Sequence, residues 1–186
     1  MAYYTREKLL SLGLKSVGEN VKISDKVSIY DTERISIGSN VRIDDFCIIS
    51  GRVEIGDYVL ICPYTLVAGG EKGVFLEDFS CLSYHVKVFS QSDDYLGETM
   101  TNSMVSKKYK AEIKKAVTIG RHVIVGAGST VFPGVEVRTG CSVGAMTLVS
   151  ASTEPWGVYA GIPARRVKER KKGLLALEKR FLSEKE

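Results

Sequence analysis

The chain has 186 residues, enough for one good core and a small appendage at either end. Its 26 lysines and arginines stand against 22 acidic residues, and the excess gathers after Ala164, which makes no case for a nucleic-acid partner. No apolar run reaches the roughly 20 residues that span a bilayer, and Cys47, Cys62, Cys81 and Cys141, without CxxC or Cys/His spacing, read as reduced thiols of a cytoplasmic protein.

In chain order, "MAYYTREKLLSLG" places Arg6, Glu7 and Lys8 ahead of its few leucines, so no secretory signal is expected. Thr5 as N-cap and Gly13 as stop predict a short helix in a segment 1–16. From Val17 the chain repeats with a period of six. Position one is Val17, Ile23, Ile37, Ile43, Ile49, Ile55, Ile61 and Val67; after a three-residue slip it is Leu76, Leu82 and Val88; later it is Ile119, Val125, Val131, Val137, Val143 and Val149. Position five is always small or β-branched, as in Val41, Cys47, Thr65, Ser80, Val123 and Ser129. Position two is often glycine: Gly18, Gly38, Gly56, Gly120, Gly126, Gly144. Neither a helix nor a lone strand has this period. Short runs separated by corners do, three to a triangular coil, and such coils stack as a solenoid. Aliphatic position-one groups would fill the interior, and the glycines would turn the corners.

The repeat breaks once. Val88 and Ile119 are 31 residues apart instead of six, so about 25 are inserted, as a polar loop over 91–116. Solenoid insertions gather on one face, often the binding face. The loop opens on Asp93, Asp94 and Tyr95. The chain's two histidines bracket it, His85 before and His122 after, each at position four of its unit.

"IGRHVIVGAGSTVFPGV" and the closing "GVYAGIPARRVKER" carry a resemblance. The chain resembles the hexapeptide-repeat acyltransferases. The likeness runs from about Val17 to Ala164 and is strongest to sugar acetyltransferases of capsule and O-antigen gene clusters. It implies an all-β solenoid: a left-handed parallel β-helix over 17–164, with a long inserted loop and a C-terminal helical tail at 165–186. It also implies acetyl-CoA as co-substrate, no metal, and a homotrimer with sites between subunits, acting on a small sugar or sugar-nucleotide acceptor.

In relatives that acetylate sugars, a loop at this place carries a catalytic histidine. This loop has none, so the base is sought in His85, Asp94 and Asp93. Two adjacent carboxylates in a dry cleft would repel and raise one pKa, making a better base; an Asx turn would use the same residues structurally. Gly126, Ala127, Gly128 and Ala145 are small enough for a thioester to approach, and Arg165 and Arg166 suit the phosphates of CoA. Tyr95, Asn102 and Trp156 are candidates to line the acceptor site, although Trp156 would serve equally to pack the last coil. The tail helix, with Leu174, Leu177 and Phe181 at helical spacing, is expected to cover an open coil end or a neighbour.

The leading expectation is O-acetylation of a saccharide hydroxyl in surface-polysaccharide biosynthesis. A sugar hydroxyl needs a base, whereas an amine needs less help, so the missing histidine also points to N-acetylation of a nucleotide-linked amino sugar. A non-catalytic scaffold is the third alternative. The zinc carbonic anhydrases of the same fold need three histidines, one more than the chain has.

Overall fold

Each six-residue unit folds as a strand of two or three residues and a corner, and three units close one coil. The structure, a computed structural model, describes residues 2–184. The strands stack into three parallel sheets, one per side of a triangular prism. The first face runs from Ser16–Val17 to Glu136–Val137, the second from Lys22–Ile23 to Ser142–Val143, and the third from Ser28–Ile29 to Leu148–Val149. Register is in step with the repeat: Ile37 pairs with Ile55, Ile61 with Leu82, and Val131 with Val149.

Every position-one residue from Ile37 to Val149 is buried, and so is every position-five residue. Full burial of each aliphatic side chain contributes about 1.5–3 kcal/mol. Two of the polar groups at position five are met by corner backbone: Thr65 donates to the Ser83 carbonyl at 3.0 Å, and Ser129 to that of Gly144 at 2.8 Å.

Glycine does not play the part expected of it at position two. The left-handed backbone lies instead at position four, held by Asn40, Phe46, Tyr58, Tyr64, Phe79, His85, His122 and Met146. Position-two glycines are needed because adjacent coils touch there. A Cβ on Gly38 would sit 2.7 Å from the Gly56 carbonyl group, and one on Gly126 2.5 Å from the Ala145 amide nitrogen.

Helix α1 (Arg6–Ser11) begins where the Thr5 hydroxyl accepts from the Lys8 amide at 3.2 Å and closes the N-terminal end by burying Leu9. The C-terminal tail departs from the expected helix. Arg165–Glu169 is a strand, antiparallel to Gly157–Ala160, and only Leu174–Ser183 is helical (α2). Nor does α2 cover a coil end. It folds back on the corner between the first and second faces, where Phe181 packs edge-on against Tyr58 and Phe79 at 5.5 and 6.4 Å. Among the described residues no helix is long and apolar enough to cross a membrane, and no cluster of three or more His, Cys, Asp or Glu could hold a metal ion. All four cysteines are free.

Candidate active site

At the corner between the second and third faces, position four reads Phe46, Tyr64, His85, Gly128 and Met146 from coil to coil. Amide-to-carbonyl bonds hold the column in line, with Tyr64 donating to Asp45, His85 to Pro63, Gly128 to Tyr84 and Met146 to Ala127, at 2.8–3.2 Å. The rings stack: Phe46 on Tyr64 at 5.1 Å, and Tyr64 on His85 at 4.8 Å with planes 5° apart. His85 is exposed, and its outer face is turned to the next coil.

Beside this column, position two reads Cys62, Ser83, Gly126 and Gly144, and the pairing of the second face continues it to Ala160. Ala160 in turn pairs with Arg165. Bulk therefore falls away below His85. Tyr84 gives way to Ala127 and Ala145, so that a strip of mostly small residues, called the channel below, runs along the corner from Ser83 to Arg165. Stacking of the coils already requires Gly126, but it does not require Ala127 or Ala145. Arg165 and Arg166 are exposed on their strand; Arg166 pairs with Glu169, and Arg165 donates to the Ala164 carbonyl.

The loop leaves from the third corner. Its neck is a two-residue antiparallel pairing of Gln91–Ser92 with Ile113–Lys114. Asp94 ties the loop to itself, accepting from the Leu96 amide at 2.7 Å, the Thr99 amide at 2.8 Å and the Thr99 hydroxyl at 3.1 Å. Those donors, the Leu96 amide foremost, hold the Asp94 carboxyl below the usual carboxylate range. This is the opposite of the rise that repulsion between neighbouring carboxylates would give, because backbone amides reach Asp94 first. Asp93 is more loosely held, 3.4 Å from the Asn102 amide and 3.5 Å from the Lys110 ammonium. Tyr95 is 90% exposed at the loop tip, and Asn102, with φ +70°, accepts from the Met104 amide at 3.0 Å.

His85 and Asp93 do not meet within one chain. The strand Lys87–Phe89 lies between them, His85 at the corner before it and Asp93 in the loop after it. His122 belongs to another corner. It is 8% exposed, stacks on Phe79 at 5.1 Å, and its Nε2 lies 2.8 Å from the Glu178 carboxylate of α2. Trp156 follows in that same corner, packed into the space over Gly140 with the Lys172 ammonium 5.5 Å from its ring. It therefore lies away from the channel. The sequence reasoning passed over Ser83 and Met146. Both were accessible from the six-residue register, which places Ser83 above Gly126 and Met146 below Gly128.

The family model for bacterial transferase hexapeptide repeats matches residues 34–69. The dTDP-4-amino-4,6-dideoxy-D-glucose acyltransferase of Escherichia coli is 44% identical over 184 residues, covering 97% of this chain and 95% of its own. The putative lipopolysaccharide biosynthesis O-acetyl transferase WbbJ of Escherichia coli is 28% identical over 146 residues, 76% of this chain and 72% of its own. Among solved structures, AntD, an N-acyltransferase from Bacillus cereus in complex with dTDP and 3-hydroxybutyryl-CoA, superposes with a TM-score of 0.97 at 43% identity, over 98% of this chain and 97% of its own. Serine and aspartate variants of AntD have also been crystallised, in complex with CoA and either dTDP or dTDP-4-amino-4,6-dideoxyglucose. The match gives the coil its hand: the fold is a left-handed parallel β-helix.

Proposed function

The chain belongs to the bacterial hexapeptide-repeat transferase family and is an acyltransferase; from that premise we propose that it moves an acyl group from acyl-CoA to the 4-amino group of a dTDP-linked 4-amino-4,6-dideoxyhexose. The observation that carries the acceptor is the likeness, nearly end to end, to the Escherichia coli acyltransferase of that sugar. The absence of a histidine from the loop supports it. An amine attacks a thioester in its neutral form and loses its proton afterwards, so a strong base is not required. The O-acetylation reading has only distant support, such as WbbJ at 28% identity.

The channel suits the donor. From Ser83 to Arg165 it runs about 19 Å along the stacked coils, between small side chains that let an extended pantetheine arm lie against backbone. Arg165 and Arg166 stand at its foot to meet phosphates.

On the acceptor side the AntD variants change a serine and an aspartate ten positions apart. Here Ser83 and Asp93 are a serine and an aspartate ten apart, whereas Tyr84 stands ten before Asp94. Asp94 is already engaged by its own loop. We therefore assign Asp93 to hold the incoming amine and accept its proton after attack, Ser83 to orient the amine, and His85 to wall the site. As the neutral nitrogen attacks the thioester carbonyl, the bond to sulfur breaks and the amine proton passes to the departing sulfur, directly or by way of Asp93, so that CoA leaves as the thiol. Because Ser83 and Asp93 belong to different corners, one active site needs the corner of one subunit and the loop of another, as the expected trimer would supply.

The test is CoA release with acetyl-CoA and dTDP-4-amino-4,6-dideoxyglucose. Wild-type turnover to an amide is expected. Asp93→Asn should lower kcat/KM by about 10²-fold, in the range of a positioned proton-transfer group, and Asp94→Asn by much less. Absence of amide product from the wild type, or an Asp93→Asn enzyme as fast as wild type, would overturn the reading.

A further inference from the structure

We propose that Met146 sets the size of the acyl group this enzyme accepts, by filling or vacating a gap in the corner at Gly128. The proposal rests on the acyl-CoA reading above and adds a specificity determinant to it.

Backbone geometry does not explain the glycine. Phe46, Tyr64, His85, Gly128 and Met146 all hold left-handed φ, at 61°, 62°, 58°, 73° and 55°. Four side chains tolerate the conformation in this column, so a fifth would too. Gly128 instead removes a rung. The stack of rings ends at His85, and the next coil, about 4.8 Å on, presents no side chain to it. The thioether of Met146 leans back into the gap: its Sδ lies 2.4 Å from where a Cβ on residue 128 would be. Yet Met146 is 68% exposed, so little holds it there.

The other end of the second face gives an internal comparison. Gly140 leaves a similar gap, and Trp156 closes it with a rigid ring whose nearest atom lies 2.4 Å from the would-be Cβ. Lys172 lies over that ring. A two-torsion indole clasped by a lysine makes a permanent filling. A methionine, with three rotatable bonds and a soft sulfur, makes one that can leave. The openable gap is the one beside Ser83, Gly126 and Ala127, where the thioester is assigned. An acetyl group fits with Met146 in place. A four-carbon acyl chain needs the rung that Met146 occupies, so the thioether swings outward. The complex of AntD with 3-hydroxybutyryl-CoA shows that a protein of this shape takes a four-carbon acyl group.

The experiment compares acetyl-CoA and 3-hydroxybutyryl-CoA as donors to dTDP-4-amino-4,6-dideoxyglucose in wild type, Met146→Ala and Met146→Phe. The four-carbon to two-carbon ratio of kcat/KM should rise about tenfold in Met146→Ala. It should fall about tenfold in Met146→Phe, whose ring would stack on His85, since one or two methylenes in a pocket are worth roughly that much. Calorimetric Kd values for both donors give the same ratio independently of turnover, which covers a variant that binds but works poorly. Ratios within twofold of each other in all three proteins, with both donors bound, would overturn the gate and leave the acyl-transfer reading standing. A wild type that binds neither donor would overturn both.

Discussion

Asp94 has two carboxylate oxygens, and both are engaged by its own loop, through Leu96 and Thr99. Asp93, one residue earlier, meets only two partners beyond 3.3 Å. That difference was not legible in the sequence, where the two aspartates read as equivalent; it arises from where the chain turns after them. Glycine shows the same limit. Its recurrence at position two was plain, but the reason is contact between coils rather than left-handed backbone. Gly38→Ala therefore tests packing. Its methyl would meet the Gly56 carbonyl group and the Asp57 carboxylate, both closer than 3 Å. A loss of about 1–3 kcal/mol is expected, read as a melting temperature lower by roughly 2–4 °C per kcal/mol. An unchanged melting temperature would show that the coils can part at that point without cost.

Helix α2 is tied to the corner by a nearly buried carboxylate, Glu178. Glu178 reaches both Arg121 and His122, while Asp78 holds Arg121 from the other side at 2.5 Å. Burial disfavours the charged form of Glu178, but the hydrogen bonds from Arg121 and His122 outweigh it and hold its carboxyl below the usual range. A carboxyl with a lowered pKa stabilises its docked state at pH above its ordinary value, 4.5, and that stability is lost as pH falls through the lowered value. The protection factors of the α2 amides, exchange rates taken relative to intrinsic exchange at the same pH, should thus be high at neutral pH and fall below about pH 4.5. In Glu178→Gln exchange should be faster already at neutral pH, by roughly ten- to a hundredfold for one charged hydrogen-bonded group. Equal protection in variant and wild type would mean that Phe181, packed on Tyr58 and Phe79, holds the helix without the carboxylate. The leucine spacing predicted this helix, yet it could not say what the helix would cover. The partner corner of Tyr58, Phe79 and His122 is assembled from coils far apart in the chain.

At the scale of the whole molecule the fold was legible because every coil repeats one instruction: aliphatic at position one and small at position five, from Ile23 to Val149. Even the interruption was visible, as a break in register between Val88 and Ile119. The site was legible only in halves. The small corner and the loop each carry a sequence signature, but they lie on different corners of one prism, and no local pattern joins them. The acceptor was the least legible part, since a missing histidine in the loop does not by itself name the nucleophile. The most direct measurement offers wild-type enzyme and acetyl-CoA an equal mixture of dTDP-4-amino-4,6-dideoxyglucose and its 4-hydroxyl counterpart, with both products quantified. A hydroxyl forgoes the roughly 10²–10⁴-fold that a positioned base supplies, so amide should exceed ester by at least about a hundredfold. Ester in equal or greater amount would contradict the amine acceptor and return the enzyme to the O-acetyltransferases.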